Sequence, residues 1–268
     1  MHRILIKLFA IVIIFSSLAL TMIVSGCPKK RQHRLQIHLS LLCRFLNLRI
    51  HFEGPVPKES PRLIVSNHIS YLDIFLIGSI FPTSFLAKAE LKAWPILGSL
   101  GRLVQTVFVR RDCMHSRLRA LRKLKQRNSM LSYCIFPEGT TSIAISPSKK
   151  QWHRGHAYLG RFSPQGIYCL GIHYSNQKEM AWVDDQDLIP HLLRILAQKR
   201  LDVFVSGSLI HGPFLSPEAT LEQTFTSVSA HARQALRFAG DFKDLVSNQP
   251  RSKPCSGQIQ LAPFERML

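Results

Sequence analysis

A histidine, an arginine and a glutamate, each just beyond an apolar run, are the residues of this chain best suited to chemistry. His68 stands in Asn67-His68-Ile69-Ser70-Tyr71-Leu72-Asp73, between Leu63-Ile64-Val65 and Ile74-Phe75-Leu76-Ile77. A carboxylate beside an imidazole fixes the ring's tautomer, and the other ring nitrogen can then take a proton from a hydroxyl. His68 and Asp73 are five positions apart (73 − 68), so they cannot share a face of a straight helix, where neighbours are ~3 or 4 apart. They can meet if His68 lies on a strand-to-helix turn and Asp73 in the first helical turn, where the helix dipole also favours a carboxylate. A plainer reading makes Asn67 or Ser70 a helix cap and His68 an ordinary turn residue. Arg110-Arg111-Asp112 follows the run Thr106-Val107-Phe108-Val109, and Glu138-Gly139-Thr140-Thr141 follows Tyr133-Cys134-Ile135-Phe136-Pro137. Polar clusters at the carboxyl ends of strands are where an α/β sheet presents its chemistry.

The elements that must position these clusters follow from the apolar patterning. Strand candidates lie at Leu63–Val65, Thr106–Val109, Tyr133–Phe136, 166–172 and Val203–Val205, with helix-like stretches among them. Such an order predicts an α/β domain over residues 55–245, a mixed, largely parallel sheet flanked by helices. Residues 114–129 carry Arg117, Arg119, Arg122, Lys123, Lys125 and Arg127, with Leu118, Leu121 and Leu124 on the opposite side. That run reads as a surface helix with a solvated face. Ser216 and Pro217 mark the start of a late helix, with Leu221, Phe225, Val228, Ala232 and Leu236 on one face and an end near Gly240. Residues 246–268 are polar, carry Pro250 and Pro254, and read as a disordered tail.

The balance of 35 Lys and Arg against 16 Asp and Glu, a net charge of +19, calls for an anionic partner: nucleic acid, an anionic membrane surface or a phosphorylated small molecule. The six cysteines are scattered without a Cys-x-x-Cys pair, which gives no zinc site and no dense disulfide framework. No metal-binding constellation stands out among the 12 histidines. From Leu8 to Val24 the chain is apolar and uncharged, and counting from Ile4 only Lys7 interrupts it. At ~1.5 Å per residue this stretch reaches the ~30 Å of a bilayer core. Residues 1–26 therefore read as a transmembrane anchor, with Lys7 reaching for the interface, or as a signal-like segment. Val24-Ser25-Gly26-Cys27 resembles a lipoprotein cleavage box, whereas Lys29, Lys30, Arg31 and Arg34 oppose export. Leu35, Leu39, Leu42, Phe45 and Leu46, interleaved with Arg34, Arg44 and Arg49, predict a basic amphipathic helix within 27–54. It lies either on an anionic leaflet or against the globular core. The apolar segment favours lipid over nucleic acid as the partner.

Together the three clusters resemble the glycerolipid acyltransferase family, whose best-known members acylate 1-acyl-glycerol-3-phosphate to phosphatidic acid. His68 with Asp73 looks like the family's His-x-x-x-x-Asp motif. Phe108-Val109-Arg110-Arg111 resembles its second motif, with Arg111 aligned on the motif arginine, and Phe136-Pro137-Glu138-Gly139-Thr140 its third. Lys88, Glu90-Leu91, Pro95 and Gly98 resemble the segment between the first two. The likeness covers about residues 60–175, and the first motif with Phe-Pro-Glu-Gly-Thr about 70 residues on is highly specific. Thr141 stands where the family commonly has arginine, which leaves lyso-ornithine lipid or another lyso-lipid as an alternative acceptor. Tyr168-Cys169-Leu170-Gly171-Ile172 lacks the proline of a fourth motif.

The resemblance implies transfer of a fatty acyl group from acyl-CoA or acyl-carrier protein, as donor substrate, to a lysophospholipid hydroxyl, with no cofactor. His68 is the expected base and Asp73 its orienting carboxylate; Arg111 clamps the acceptor phosphate. Glu138 orients Arg111 or accepts from an acceptor hydroxyl, and Gly139 and Thr140 complete the substrate site. No Gly-x-Ser-x-Gly elbow occurs, so no acyl-enzyme is required. Membrane lipids are the expected surroundings, with the domain on the cytoplasmic side of a bacterial inner membrane and no nucleic acid bound. A non-enzymatic basic membrane-binding protein would account for the charge but not for the three clusters.

Overall fold

The computed structural model describes residues 2–57, 59–93, 95–127, 130–145, 148–183 and 186–248, apart from the side chains of 95–97 and 245–248. The polar C-terminal stretch lies, from residue 249 on, outside the described residues. Two helices come first, α1 (His2–Val24) and α2 (Pro28–Leu46), then strand β1 (Leu48–Glu53). The central stretch runs β2 (Leu63–Ser66), α3 (Leu72–Ile80), β3 (Ser84–Lys88), a 3₁₀ turn at Ala89–Ala93, α4 (Pro95–Leu103), β4 (Val107–Val109), α5 (Met114–Arg127) and β5 (Tyr133–Ile135). The chain continues through α6 (Gly155–Gly160), β6 (Ile167–Tyr174), α7 (Gln177–Met180), α8 (Leu188–Ala197), β7 (Leu201–Ile210) and α9 (Pro217–Asn248).

The seven strands form one sheet in the order β1-β7-β6-β2-β5-β3-β4, and only the β6–β7 pair is antiparallel among the described residues. The mixed, largely parallel sheet flanked by helices is as the sequence predicts. Because side chains alternate along a strand, the two faces collect different cores. Ile64, Cys134, Tyr168, Leu170, Ile172, Val203 and Val205 pack with α1, α2, α3 and α8. Leu63, Val65, Val107, Tyr133, Ile135 and Cys169 pack with Ala120 and Leu124 of α5, Leu159 of α6 and Val228 of α9. At Gly171 an added Cβ would lie 2.0 Å from the Ala232 backbone nitrogen, so α9 rests directly on β6.

The predicted basic helix needs correction at its end. It ends at Leu46, with Asn47 in the left-handed region at φ 57, and Leu48–Glu53 pairs in parallel with β7. Leu48, Ile50 and Phe52 point to one core while Arg49, His51 and Glu53 alternate with them; a period of two was hidden behind the helical spacing of Leu46 and Ile50. Of the two settings the sequence allowed, α2 takes the packed one. Leu35, Leu39, Leu42, Cys43 and Leu46 are in the core. Four of its polar residues, Gln32, Gln36, His38 and Ser40, are buried too, with partners. Gln32 Nε2 donates to Ser84 Oγ and the Ser132 carbonyl, both at 2.7 Å, and Gln36 Nε2 donates to the Ile80 carbonyl at 2.7 Å.

Helix α1 lies along α2 rather than standing away from the domain. Lys7, Ala10, Ile14, Leu18 and Met22 form its buried stripe. Lys7 does not reach for an interface: its Nζ donates to the Leu46 carbonyl at 3.2 Å and the Gln198 carbonyl at 2.7 Å. Those carbonyls end α2 and α8, where helix dipoles favour a cation. At the other end of α1, Arg34 Nη1 donates to the Thr21 carbonyl at 3.2 Å, and Arg31 Nε donates to the Ser25 carbonyl at 2.7 Å. The opposite face is apolar and open, with Leu5, Phe9, Val12, Leu20, Ile23 and Val24 exposed. Helix α9 runs past Gly240, since one glycine costs only about 1 kcal/mol against alanine and Phe242 packs beyond the expected stop.

Candidate active site

Three polar segments converge at the carboxyl ends of neighbouring strands β2, β5 and β4, with β3 between the last two. His68 follows β2 on the turn into α3, and Asp73 sits in the first turn of α3. His68 Nδ1 lies 2.8 Å from Asp73 Oδ2, and the carboxylate is fully buried. The same Oδ2 accepts from the backbone N–H groups of Ile69 at 2.7 Å and Ser70 at 2.9 Å. Oδ1 accepts from the Tyr174 hydroxyl at 2.8 Å. Only a carboxylate can accept from all four donors at once, which assigns the proton of the ring to Nδ1. Nε2 then carries the lone pair, and among the described residues it has no hydrogen-bond partner. The ring is 15% exposed, so that nitrogen opens outward.

The ring's plane is fixed as well. It stacks on Phe136 with centroids 4.0 Å apart and planes 13° from parallel, and Phe136 stacks in turn on Phe85. Asn67 holds the turn from beneath: its Nδ2 donates to the Ile172 carbonyl at 3.0 Å, and its Oδ1 accepts from the Ile172 N–H at 2.8 Å. This pair of bonds binds the end of β2 to β6, and the Ser142 N–H closes the turn from the other side by donating to the His68 carbonyl at 2.8 Å.

Glu138 and Gly139 follow β5. Glu138 Oε1 accepts the His68 backbone N–H at 3.0 Å, so the third motif grips the first through the main chain. Burial pushes the Glu138 carboxyl up to about 7; the His68 hydrogen bond opposes the shift and the Asp73 charge adds to it. Gly139 has φ +74, and a Cβ there would meet the His153 ring at 2.8 Å and Arg111 Nη1 at 3.4 Å. Glycine is required both for that backbone angle and for the approach of the His153 ring and the Arg111 guanidinium. Arg111 thus lies against the Glu138-Gly139 segment. Among the described residues it makes no ion pair, neither with Asp112 nor with Glu138. Burial lowers its guanidinium and the charge of Glu90 acts the other way. Burial, with Arg111 and Arg117 nearby, also lowers His153 and so favours its neutral form. Thr140 is exposed beside the site, while the Thr141 hydroxyl is spent on the Trp182 carbonyl.

The arrangement offers an imidazole nitrogen facing outward, a guanidinium against the Glu138-Gly139 segment that grips the same turn, and a stacked aromatic floor. Such a set can remove a proton from a hydroxyl on a molecule whose anionic head is held by Arg111. Tyr174, Asn67 and His153 have parts in this geometry that the sequence did not reveal. Tyr174 belongs to an apolar strand and is distant in sequence from Asp73, and only the β2–β6 pairing brings them together.

The model of the family described as Acyltransferase matches residues 47–164. The lyso-ornithine lipid O-acyltransferase of Pseudomonas aeruginosa is 32% identical over 213 residues, covering 78% of this chain and 79% of that one. The 1-acyl-sn-glycerol-3-phosphate acyltransferase of Neisseria meningitidis is 37% identical over 126 residues, 45% of this chain and 48% of its own. Among solved structures, the 1-acyl-sn-glycerophosphate (LPA) acyltransferase of Thermotoga maritima superposes with a TM-score of 0.64 over 87% of this chain and 95% of that one, at 16% identity. With the fold and the Pseudomonas relative in agreement, the chain belongs to the glycerolipid O-acyltransferase family.

Proposed function

We propose that this protein moves a fatty acyl group from an acyl-CoA or acyl-carrier-protein thioester to the free hydroxyl of 1-acyl-glycerol-3-phosphate. The observation that carries the reading is His68, with Nδ1 tied to a buried carboxylate and Nε2 open, while Arg111 lies against Gly139 in the segment that holds the His68 backbone. Nε2 takes the proton of the acceptor hydroxyl as its oxygen attacks the thioester carbonyl. The carbon–oxygen bond forms, the carbon–sulfur bond breaks, and the departing thiolate takes the proton back from the imidazolium. Asp73 stabilises that cation, and Arg111 holds the headgroup anion two-pronged. The thioester is itself a substrate, so this chemistry calls for no cofactor.

One observation favours a second acceptor. Relatives named for lyso-ornithine lipid match this chain in sequence over as much as 78% of its length, those named for 1-acyl-sn-glycerol-3-phosphate over about 45%. An ornithine headgroup offers a carboxylate, which a guanidinium grips as it grips phosphate. Purified protein with one labelled acyl donor and both acceptors decides between them. Arg111→Ala should lower kcat/KM for the true acceptor ~10–100-fold, as expected for a lost charged hydrogen bond of ~1.5–3 kcal/mol. An equal loss with an acceptor lacking any anion would make Arg111 structural.

The open apolar face of α1 supports attachment to a membrane while α1 stays docked on α2, with the domain on the cytoplasmic side where Lys29 and Lys30 are exposed. Phe9→Asp with Val12→Asp should release the protein from vesicles and leave its thermal unfolding unchanged. Retention on vesicles after both changes would exclude that face.

A further inference from the structure

We propose that α5 is the docking surface for an acidic carrier protein that presents the acyl chain as a thioester on its prosthetic arm. The proposal rests on the acyl-transfer reading above and names the donor. Helix α5 carries Arg117, Arg119, Arg122, Lys123, Lys125 and Arg127 and no acidic residue. Arg119, Arg122 and Lys125 recur every third position and are exposed, so they form one stripe along the helix. Among the described residues no cation of α5 takes part in an ion pair. Lys125 rests over the Phe162 ring at 4.0 Å, and Arg117 Nη2 reaches Met114 Sδ at 3.5 Å. The one carboxylate adjoining the helix in sequence, Asp112, precedes it.

Position in the fold separates this charge from the membrane. The apolar face of α1 belongs to the layer built on α2, α3 and α8, whereas α5 packs with α6 and α9 on the other side of the sheet. The layer that carries α1 and the layer that carries α5 thus cover opposite faces of the sheet. The start of α5, in contrast, is at the mouth of the site. It begins three residues beyond Arg111, and the charge of Arg117 acts on His153, whose ring covers Gly139. At ~1.5 Å per residue the helix is about 21 Å long. A soluble protein with an acidic face can lie along that length and extend a thioester arm toward His68. The phosphates of one nucleotide would engage only a fraction of the stripe, so the full stripe fits a protein face better than a free coenzyme. Complementary charge of this kind raises encounter rates and fixes orientation.

The test uses the full chain in vesicles and one acyl chain presented both on carrier protein and on CoA. In the variant R119Q/R122Q/K125Q, kcat/KM for the carrier donor should fall by ~10-fold or more through KM, and that for acyl-CoA should stay within about twofold. A second preparation, R119E/R122E/K125E, should regain carrier-dependent transfer when acidic residues on the carrier face are changed to lysine. Flotation with anionic vesicles should match the parent protein. The docking role is overturned if both donors lose rate equally, if neither does, or if vesicle binding falls with the stripe. Should the unaltered protein transfer from neither donor to any acceptor, the acyl-transfer reading itself is overturned, and the docking role with it.

Discussion

Two histidine–carboxylate pairs sit in this molecule, and only one is arranged for chemistry. His68 and Asp73 lie on the turn after β2, as described. His51 lies mid-strand in β1 and donates through Nε2 to Asp202 Oδ1 at 2.7 Å, an almost identical contact. Yet His51 is closed in on the α9 side: it stacks on Phe204 at 4.8 Å, with Phe238 and Phe242 against its edge and face. Asp202 also takes Arg200, at 2.5 Å to Oδ2. In that pair the outer ring nitrogen is consumed and the ring is walled by aromatics; in the other the inner nitrogen is consumed and the outer one is left open. What separates a working pair from a structural one is which nitrogen remains free and where it points.

The sharpest test of that contrast exchanges each histidine for alanine. His68→Ala should lower kcat by ~10²–10⁴-fold, the usual worth of a positioned base, and barely move thermal unfolding. His51→Ala should leave kcat within about twofold but cost about 2–3 kcal/mol, a fall of roughly 4–10 °C in Tm, because a filled aromatic box is emptied and a carboxylate loses a partner. Transfer at the parental rate by the His68 variant would sink the distinction.

The carboxylates come next. Asp73→Asn keeps size but supplies an amide where four donors converge, so kcat should drop by ~10²-fold or more, with little change in acceptor KM. Asp202→Asn should leave both constants unchanged. Losses of the same size from the two amides would show that the pairs act alike.

A smaller effect separates the two regions by the sign of their pH dependence. Glu138 is buried, and its carboxyl is pushed up to about 7, above its ordinary value. The folded state therefore holds that proton more tightly than the unfolded chain, and stability falls as pH rises from about 4.5 to 7. For Asp202, burial acts upward, but hydrogen bonds from His51 and Arg200 outweigh it and hold the carboxyl below its ordinary value. Its contribution is present at neutral pH and is lost as acid protonates it. Glu138→Gln should raise Tm more at pH 8 than at pH 5; Asp202→Asn should lower it at pH 7 and have less effect near pH 3. Calorimetry across that range checks both signs.

The mildest change is Tyr174→Phe, which removes one of the four donors to Asp73. We expect a loss of ~3–10-fold in kcat, equivalent to a neutral hydrogen bond of about 1 kcal/mol, without an effect on KM. A variant with full kcat would make the other three donors sufficient.

How much of this was legible beforehand depended on distance along the chain. His68 and Asp73 sit within one turn, so their spacing alone allowed the contact. The strand ends bearing Arg111 and Glu138 were visible as apolar runs. Hidden were the contacts made across strands: Tyr174 on Asp73, Asn67 on Ile172, and the His153 ring over Gly139. No local pattern encodes them, because sheet order decides them. Strand β1 and the buried glutamines of α2 were missed for another reason. A segment read alone shows which residues are polar, not which polar residues will meet a carbonyl inside.

The anchoring of Lys7 has a consequence for the order of events during synthesis. One of its two acceptors, the Gln198 carbonyl, is 191 positions downstream. At ~5–20 residues per second, a ribosome needs about 10 to 40 s to supply that carbonyl after the lysine has been made. Through that interval the Lys7 ammonium has at most one of its two final carbonyl partners, that of Leu46. A bilayer can shelter the apolar helix but not satisfy the ammonium. The last clasp on the N-terminal hairpin can therefore close only after α8 has been made.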